Sequence, residues 1–406
     1  MKWANCCGVR SKNSLLTDSA SGLPLADWAG HRLAKLADIA ASPAIAALNG
    51  ASLLGERATL NHFRVPGLQS AGGGCRLLPA RGDWIALNLA RSDDRELLPA
   101  LLGSAAFDPQ DDVAIARAVT QQDATTLLQR GREMGMAIAM LGEQPASPAR
   151  TVLSHGLAAP PSAKAPRVLD LSALWAGPLA GHLFWLAGAE VTKVESARRP
   201  DSLRTGDPVL FALLNQGKAN VALDLATAAG RAGLLRLIEQ ADIVIEAARP
   251  RALRQLGIDT DTLVRARPGL VWLTITGHGA SGPAADWVGF GDDCSVAGGL
   301  SAELARVTGQ PGFVGDALAD PLTGIEAALA GWQAWRAGAG CRIGLAMSSV
   351  VAQAWQAEAR NDPARWEAGL RAWAAVEGAP FPTVSRRTAT APVAALGGDT
   401  ARLLPC

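Results

Sequence analysis

Between residues 167 and 276 short apolar runs return at regular intervals with helical patterns between them, and few architectures satisfy that rhythm. The run 167–171 is apolar and continuous but for one polar break, as in a buried parallel strand, and 189–195, 220–225, 242–246 and 270–276 read as the strands that follow it. The segments separating them, such as 176–187 and 229–240, carry apolar residues at helical spacing. Strand–helix–strand units of this kind predict an α/β fold: a Rossmann-like, mostly parallel sheet flanked by helices, with ligand loops at the carboxyl ends of the strands.

Upstream the pattern changes. Residues 1–25 are polar and irregular, 27–64 are alanine-rich and helical in period, and Trp84-Ile85-Ala86-Leu87-Asn88-Leu89 reads as a strand preceded by the glycine run Gly72-Gly73-Gly74. Three adjacent glycines let a backbone approach a ligand closely, although a plain surface loop is the commoner use of such a run. Pro145, Pro148, Pro160, Pro161 and Pro166 mark 143–166 as an exposed linker. The division expected is therefore a smaller α+β domain over 1–142 with a glycine-rich loop at 66–75, the linker, and a large Rossmann-like domain over 167–406.

Several function classes fall away on motif grounds. The first strand–helix unit has Gly177-Pro178 in place of G-x-G-x-x-G, no G-x-x-x-x-G-K-[ST] occurs, and no G-x-S-x-G elbow is present. The five histidines form no H-x-x-x-H or H-E-x-x-H set, and the six cysteines form no C-x-x-C pair, so no metal site is expected and the cysteines read as free thiols. With 38 basic and 37 acidic side chains the formal charge is +1, which points to neither nucleic acid nor an anionic membrane. No run is apolar enough to span a bilayer and no leader opens the chain, so a soluble, cytoplasmic protein is the expectation.

One carboxylate stands out. Asp320 precedes Pro321, and Leu322, Ile325, Leu329 and Trp332 then recur at helical spacing, which places Asp320 at an N-cap and Pro321 at the first helical position. Backbone N–H groups and the positive end of the helix dipole would hold such a carboxylate ionised at neutral pH, available as a nucleophile. Most Asp-Pro pairs of this kind are caps and nothing more.

Further phrases, taken in order, resemble the class III CoA-transferases. They are Val168-Leu169-Asp170-Leu171 with Trp175-Ala176-Gly177-Pro178, then 188–195, then Asn215-Gln216-Gly217-Lys218 with 221–225, Ala241–Glu246, Arg249-Pro250, Gly277-His278-Gly279 with Gly282-Pro283, and Leu318-Ala319-Asp320 before Gly324. The resemblance covers about 168–350 and puts Asp320 on the family's nucleophile. It implies attack by that aspartate on an acyl-CoA thioester, a mixed anhydride, and transfer of CoA to a small carboxylic acid; CoA is then a substrate, with no permanently bound cofactor. It further implies CoA contacts at Trp175, Ala176, Ser196, Leu223, Asp224, Arg249, Val288, Gly289 and Phe290, a covering loop at Gly72, Gly73 and Gly74, and a homodimer. For Lys193, Lys218 and Arg249 a solvated surface charge is as good a reading as a ligand contact.

Two departures matter. In the family the glycine loop follows the aspartate, whereas here it precedes the large domain, so its reach to Asp320, within one chain or across a dimer, is open. The family's Glu-Asn-Phe phrase is Glu246-Ala247-Ala248. Two alternatives stay in view: an α-methylacyl-CoA racemase-like isomerase, disfavoured because Phe290 stands where a base is needed, and a CoA-binding relative without turnover.

Overall fold

The computed structural model describes residues 22–405 apart from 92, 105–106, 161–163 and 249. A small antiparallel sheet comes first, with β1 (Cys75–Pro79), β2 (Trp84–Asn88) and β3 (Ala137–Met140) in the order β1-β2-β3. The large sheet has seven strands in the order β4-β10-β9-β8-β5-β6-β7. They are β4 (Arg150–His155), β5 (Arg167–Asp170), β6 (Glu190–Ser196), β7 (Ala219–Leu223), β8 (Ile243–Glu246), β9 (Val271–Thr276) and β10 (Cys341–Ala346). β5 to β10 run parallel, and β4 closes one edge antiparallel to β10. The chain builds outward from β5 through β6 to β7, then returns to the other side of β5 with β8, so the order reverses at β5 and β8. Ligand crevices form at such a reversal, outside the carboxyl ends of the strands.

Strands β9 and β10 are buried along their whole length, their polar residues included: Arg342 Nε, on β10, donates to Thr274 Oγ1, on β9, at 3.0 Å. The helices that position the site are α1 (Ala26–Ala40), α2 (Gly50–Leu60), α3 (Ala176–Leu186), α4 (Gly291–Ala297), α5 (Ala319–Arg336) and α6 (Met347–Asn361). Leu33 and Leu36 of α1 and Leu53 and Leu54 of α2 share one core with Leu179 and Leu183 of α3 and Leu322, Ile325 and Leu329 of α5. The Trp332 indole N–H, on α5, donates to the Ile39 carbonyl on α1 at 3.2 Å.

Two expectations about organisation change. Helices α1 and α2 cover the large sheet's helical layer instead of joining the small sheet, which has its own core from Leu78, Ile85, Leu87, Leu98 and Ile138. The stretch read as a linker contains β4, whose residues alternate between exposed and half-buried as an edge strand's do. Its proline-rich flanks masked the short period-two pattern Arg150-Thr151-Val152-Leu153-Ser154-His155.

Candidate active site

Asp320 lies in the first turn of α5, and the structure corrects its expected place there: Leu318 is the N-cap, Asp320 the second helical residue and Pro321 the third. The helix starts earlier because Ala317 adopts a left-handed conformation (φ 46°) and its carbonyl accepts the Asp320 N–H at 2.9 Å. Instead of capping its own helix, the Asp320 carboxylate accepts the backbone N–H of Ala176, the first residue of α3. It thus faces the positive end of a second helix. Gly324, one turn on, permits that approach, since a Cβ there would stand 2.7 Å from the Ala176 carbonyl oxygen. Gly291 closes the other side: a Cβ on it would lie 2.2 Å from Asp320 Oδ2.

A guanidinium and two more carboxylates act on this residue, and a third carboxylate, Asp293, follows Asp292 in the chain. Arg57, on α2, donates from Nε to Asp316 Oδ2 at 2.8 Å and from Nη2 to the other oxygen of that fully buried carboxylate. Its charge lies 4.9 Å from the centroid of the Trp175 ring and 5.8 Å from that of Phe63, within cation–π range. Asp292 accepts the Ala317 N–H at 3.1 Å and a hydrogen bond from Ser70. Asp293 accepts from Asn88 Nδ2 at 2.8 Å and from the Phe290 N–H at 3.1 Å.

Burial pushes the Asp320 carboxyl up to about 7, with Arg57 pulling down and Asp292 pushing up. Burial likewise lifts Asp292 to about 6, against the pull of Arg57, and Asp293 to about 7, against its hydrogen bonds from Asn88 and Phe290. Removal from water thus works against the charged form expected of Asp320 and outweighs the helix-start N–H and the guanidinium. Near pH 7 it is divided between its two forms. Although burial disfavours its charge, Asp316, Asp292 and Asp320 together hold Arg57 above its ordinary value.

The glycine loop reaches this cluster within one chain. The Ser70 N–H donates to the Cys75 carbonyl at 2.9 Å, the Gly73 N–H to the Ser70 carbonyl at 2.8 Å and the Cys75 N–H to Ser70 Oγ at 3.1 Å, with Gly73 at φ 78°. Gly72 comes against Arg57, where a Cβ would lie 3.3 Å from Nη2. Gly74 instead approaches Ala90.

The remaining expected contacts separate into groups. Trp175 and Ala176 are at the cluster. Val288, Gly289 and Phe290 lead directly into α4, and the Val288 carbonyl accepts from the buried His278 ring. Ser196, Leu223 and Asp224 stand at the carboxyl ends of β6 and β7, where Asp224 pairs with Arg198 at 2.8 Å, and among the described residues none bonds to the Asp320 cluster. Arg249 lies outside the described residues. Lys193 and Lys218 are not surface charges: both are buried beneath the loop after β5. Lys193 Nζ reaches the Ser172 carbonyl at 2.8 Å and Asp201 at 3.0 Å, and Lys218 Nζ reaches Asp170 at 2.8 Å, the Pro178 carbonyl at 2.9 Å and Asn215 at 3.0 Å.

His278, Asp293 and Cys294 bring one donor atom each within 4.8 Å of one another, a cluster no spacing in the chain announced. Asp293 is committed to Asn88 and Phe290, and Cys294 Sγ faces the Gly277 carbonyl at 3.5 Å. A cavity of about 760 Å³ opens beside the loop after β9, lined by Arg254, Arg265, Arg342, Asp259 and Asp286. Neither Asp320 nor its partners line it; the segment 280–290 joins its rim to α4.

Sequence reasoning missed Arg57, Ser70, Asn88, Asp292 and Asp316. The adjacent acids Asp292-Asp293 in an apolar setting, and Asp316 one helical turn before Asp320, were the available signals; Arg57 sits in a stretch that reads as scaffold.

A model of CoA-transferase family III matches residues 165–379. The succinate–glutarate CoA-transferase of Agrobacterium fabrum is 34% identical over 203 residues, covering 45% of this chain and 50% of that protein. The succinyl-CoA–D-citramalate CoA-transferase of Chloroflexus aurantiacus is 34% identical over 170 residues, covering 40% and 42%. A crystal structure of a hypothetical protein from Mycobacterium tuberculosis aligns at 30% identity with a TM-score of 0.43, over 51% of this chain and 61% of that one. The chain spans about half the length of the curated relatives it matches.

Proposed function

The chain belongs to CoA-transferase family III, and from that premise we propose that it moves CoA from an acyl-CoA thioester to a carboxylic acid with Asp320 as nucleophile. What carries this reading is the carboxylate's setting: one oxygen-bearing group held between the Ala176 N–H and the bare Cα of Gly291, beside the Arg57 guanidinium. A carboxylate withdrawn from water and fixed in direction is a better nucleophile than one in solution. Its oxygen adds to the thioester carbonyl, the C–S bond breaks, and the electron pair leaves on CoA thiolate, giving the anhydride. The thiolate then adds to the Asp320 carbonyl and expels the donor acid. The acceptor carboxylate repeats the sequence in reverse, leaving Asp320 free and the acceptor as a CoA ester. Succinyl-CoA with glutarate, named among the relatives, is the first pair to try. Incubation of succinyl-CoA with hydroxylamine should mark Asp320 as a hydroxamate and Asp320→Ala should abolish exchange; an unmodified Asp320 in turning-over enzyme overturns the reading.

One observation favours a second reading. Asp292, a carboxyl that burial raises to about 6 and whose charge acts on Asp320, would be the second acid–base group that Phe290 cannot be. A carboxyl pair of this kind suits removal and return of a proton α to a thioester. Deuterium uptake at the α-carbon of 2-methylacyl-CoA in D₂O, lost in Asp292→Asn, would establish it.

A further inference from the structure

The Arg57 guanidinium has two hydrogen-bonding edges and the protein uses one. Nε and Nη2 are directed at Asp316, whereas Nη1 has no acceptor among the described residues. A quarter of the side chain is exposed. The exposed, side-chain-free Gly72 lies against it, and Trp175 packs under it, with a buried indole N–H that also has no acceptor among the described residues. Planar guanidinium edges recognise carboxylates through two parallel hydrogen bonds.

We propose that the open edge of Arg57 is the seat of the carboxylate being exchanged, and that acylation of Asp320 is what makes the seat available. The inference rests on Asp320 as the nucleophile. In the free enzyme Arg57 already answers Asp316 and acts on Asp292 and Asp320, so a further carboxylate meets an excess of negative charge. Once Asp320 has attacked the thioester, its oxygen is bonded to the acyl carbon, its charge has left with the thiolate, and Arg57 lacks one of its anions. An incoming carboxylate then returns the anions around Arg57 to the same number as in the free enzyme, instead of adding one to it. The donor acid, expelled as a carboxylate when thiolate returns to the Asp320 carbonyl, leaves from the same seat that the acceptor then takes. Order of binding thus follows from charge: the acid binds well only after the thioester has reacted.

The test uses the free acid and no turnover. Asp320→Asn imitates the uncharged, acylated nucleophile, and glutarate is the probe, titrated by calorimetry at pH 8. Asp320→Asn should bind glutarate at least tenfold more tightly than the wild type, and Asp320→Asn with Arg57→Gln should lose that gain. Arg57→Lys in the same background, which keeps charge without the planar edge, should recover only part of it. Equal affinity in wild type and Asp320→Asn, or tight binding that survives Arg57→Gln in a folded variant, overturns the proposal. Failure of the nucleophile reading shows separately, as absence of the hydroxamate in wild-type enzyme.

Discussion

Replacing Gly291 by Ala adds a single methyl group at the point where the backbone of α4 meets the carboxylate of Asp320, the proposed nucleophile. Built on the existing backbone, that Cβ stands 2.2 Å from Asp320 Oδ2, 2.5 Å from the Ala317 carbonyl oxygen and 2.6 Å from the Ala317 Cβ. Ordinary contact begins near 3.4 Å, so something must retreat by about 1 Å. The two Ala317 atoms belong to a left-handed turn and to a side chain with no rotamer to change, so the strain falls on Asp320 and on the start of α4. Displacing a reacting group by about 1 Å costs on the order of 100-fold in rate, and overpacking of this size costs about 1–3 kcal/mol in stability. Gly291→Ala should therefore lower kcat for succinyl-CoA exchange by about two orders of magnitude and reduce urea stability within that range. Gly369→Ala is the control: nothing lies within 4 Å of its Cβ, in the helix 363–375, and it should leave rate and stability unchanged or slightly improved. A Gly291→Ala enzyme that is as stable as the wild type and turns over within threefold of it would show that the packing around Asp320 does not set its reactivity.

Three further outcomes are expected. With Asp320 raised to about 7, the exchange rate at fixed saturating substrate should climb about tenfold from pH 6 to pH 8, as the ionised fraction grows; Arg57→Gln, which removes the group pulling that value down, should move the midpoint upward, and a flat profile across this window contradicts the assignment. A carboxyl whose folded value lies above its ordinary 3.8 withholds stability as pH rises from about 4 through 7. Asp320→Asn should accordingly be more stable than the wild type in urea at pH 8, by at most about 4 kcal/mol and less for a side chain that keeps some solvent access, with the gap closing toward pH 4. Lys218→Met leaves the fully buried Asp170 without its cation and should cost about 3–5 kcal/mol, much of it recovered when Asp170→Leu is added; a neutral single variant refutes the account of that network.

Five of the seven strands of the large sheet, β5 to β9, were legible because short apolar runs alternate with helical patterns along the chain, a rhythm that survives even without neighbours in view. At 243–246 and 271–276 reading and structure agree to within a residue at each end. β4 was hidden, since an edge strand needs only one protected face and its prolines lie just outside it. The start of α5 slipped by two residues because the left-handed Ala317, which ends the preceding turn, carries no glycine or asparagine to announce it. Asp320 was visible through its ordered neighbours in the chain, but its ionisation was not, because desolvation depends on what packs against it from elsewhere. Arg57 shows this limit most clearly. It lies 259 residues before the carboxylate it pairs with, in a helix whose composition suggests only scaffold, and local pattern holds no record of such a meeting.

That meeting also bears on how the polypeptide divides. The recognisable family region begins at 165, yet α1 and α2, which lie before it, cover α5 and deliver the guanidinium. Cutting at that homology boundary would yield a fragment with Asp320 in place, its flank stripped to water and its counter-charge missing. Here the evolutionary unit and the working unit are different lengths of the same polymer, and expression trials or domain transplants should follow the second.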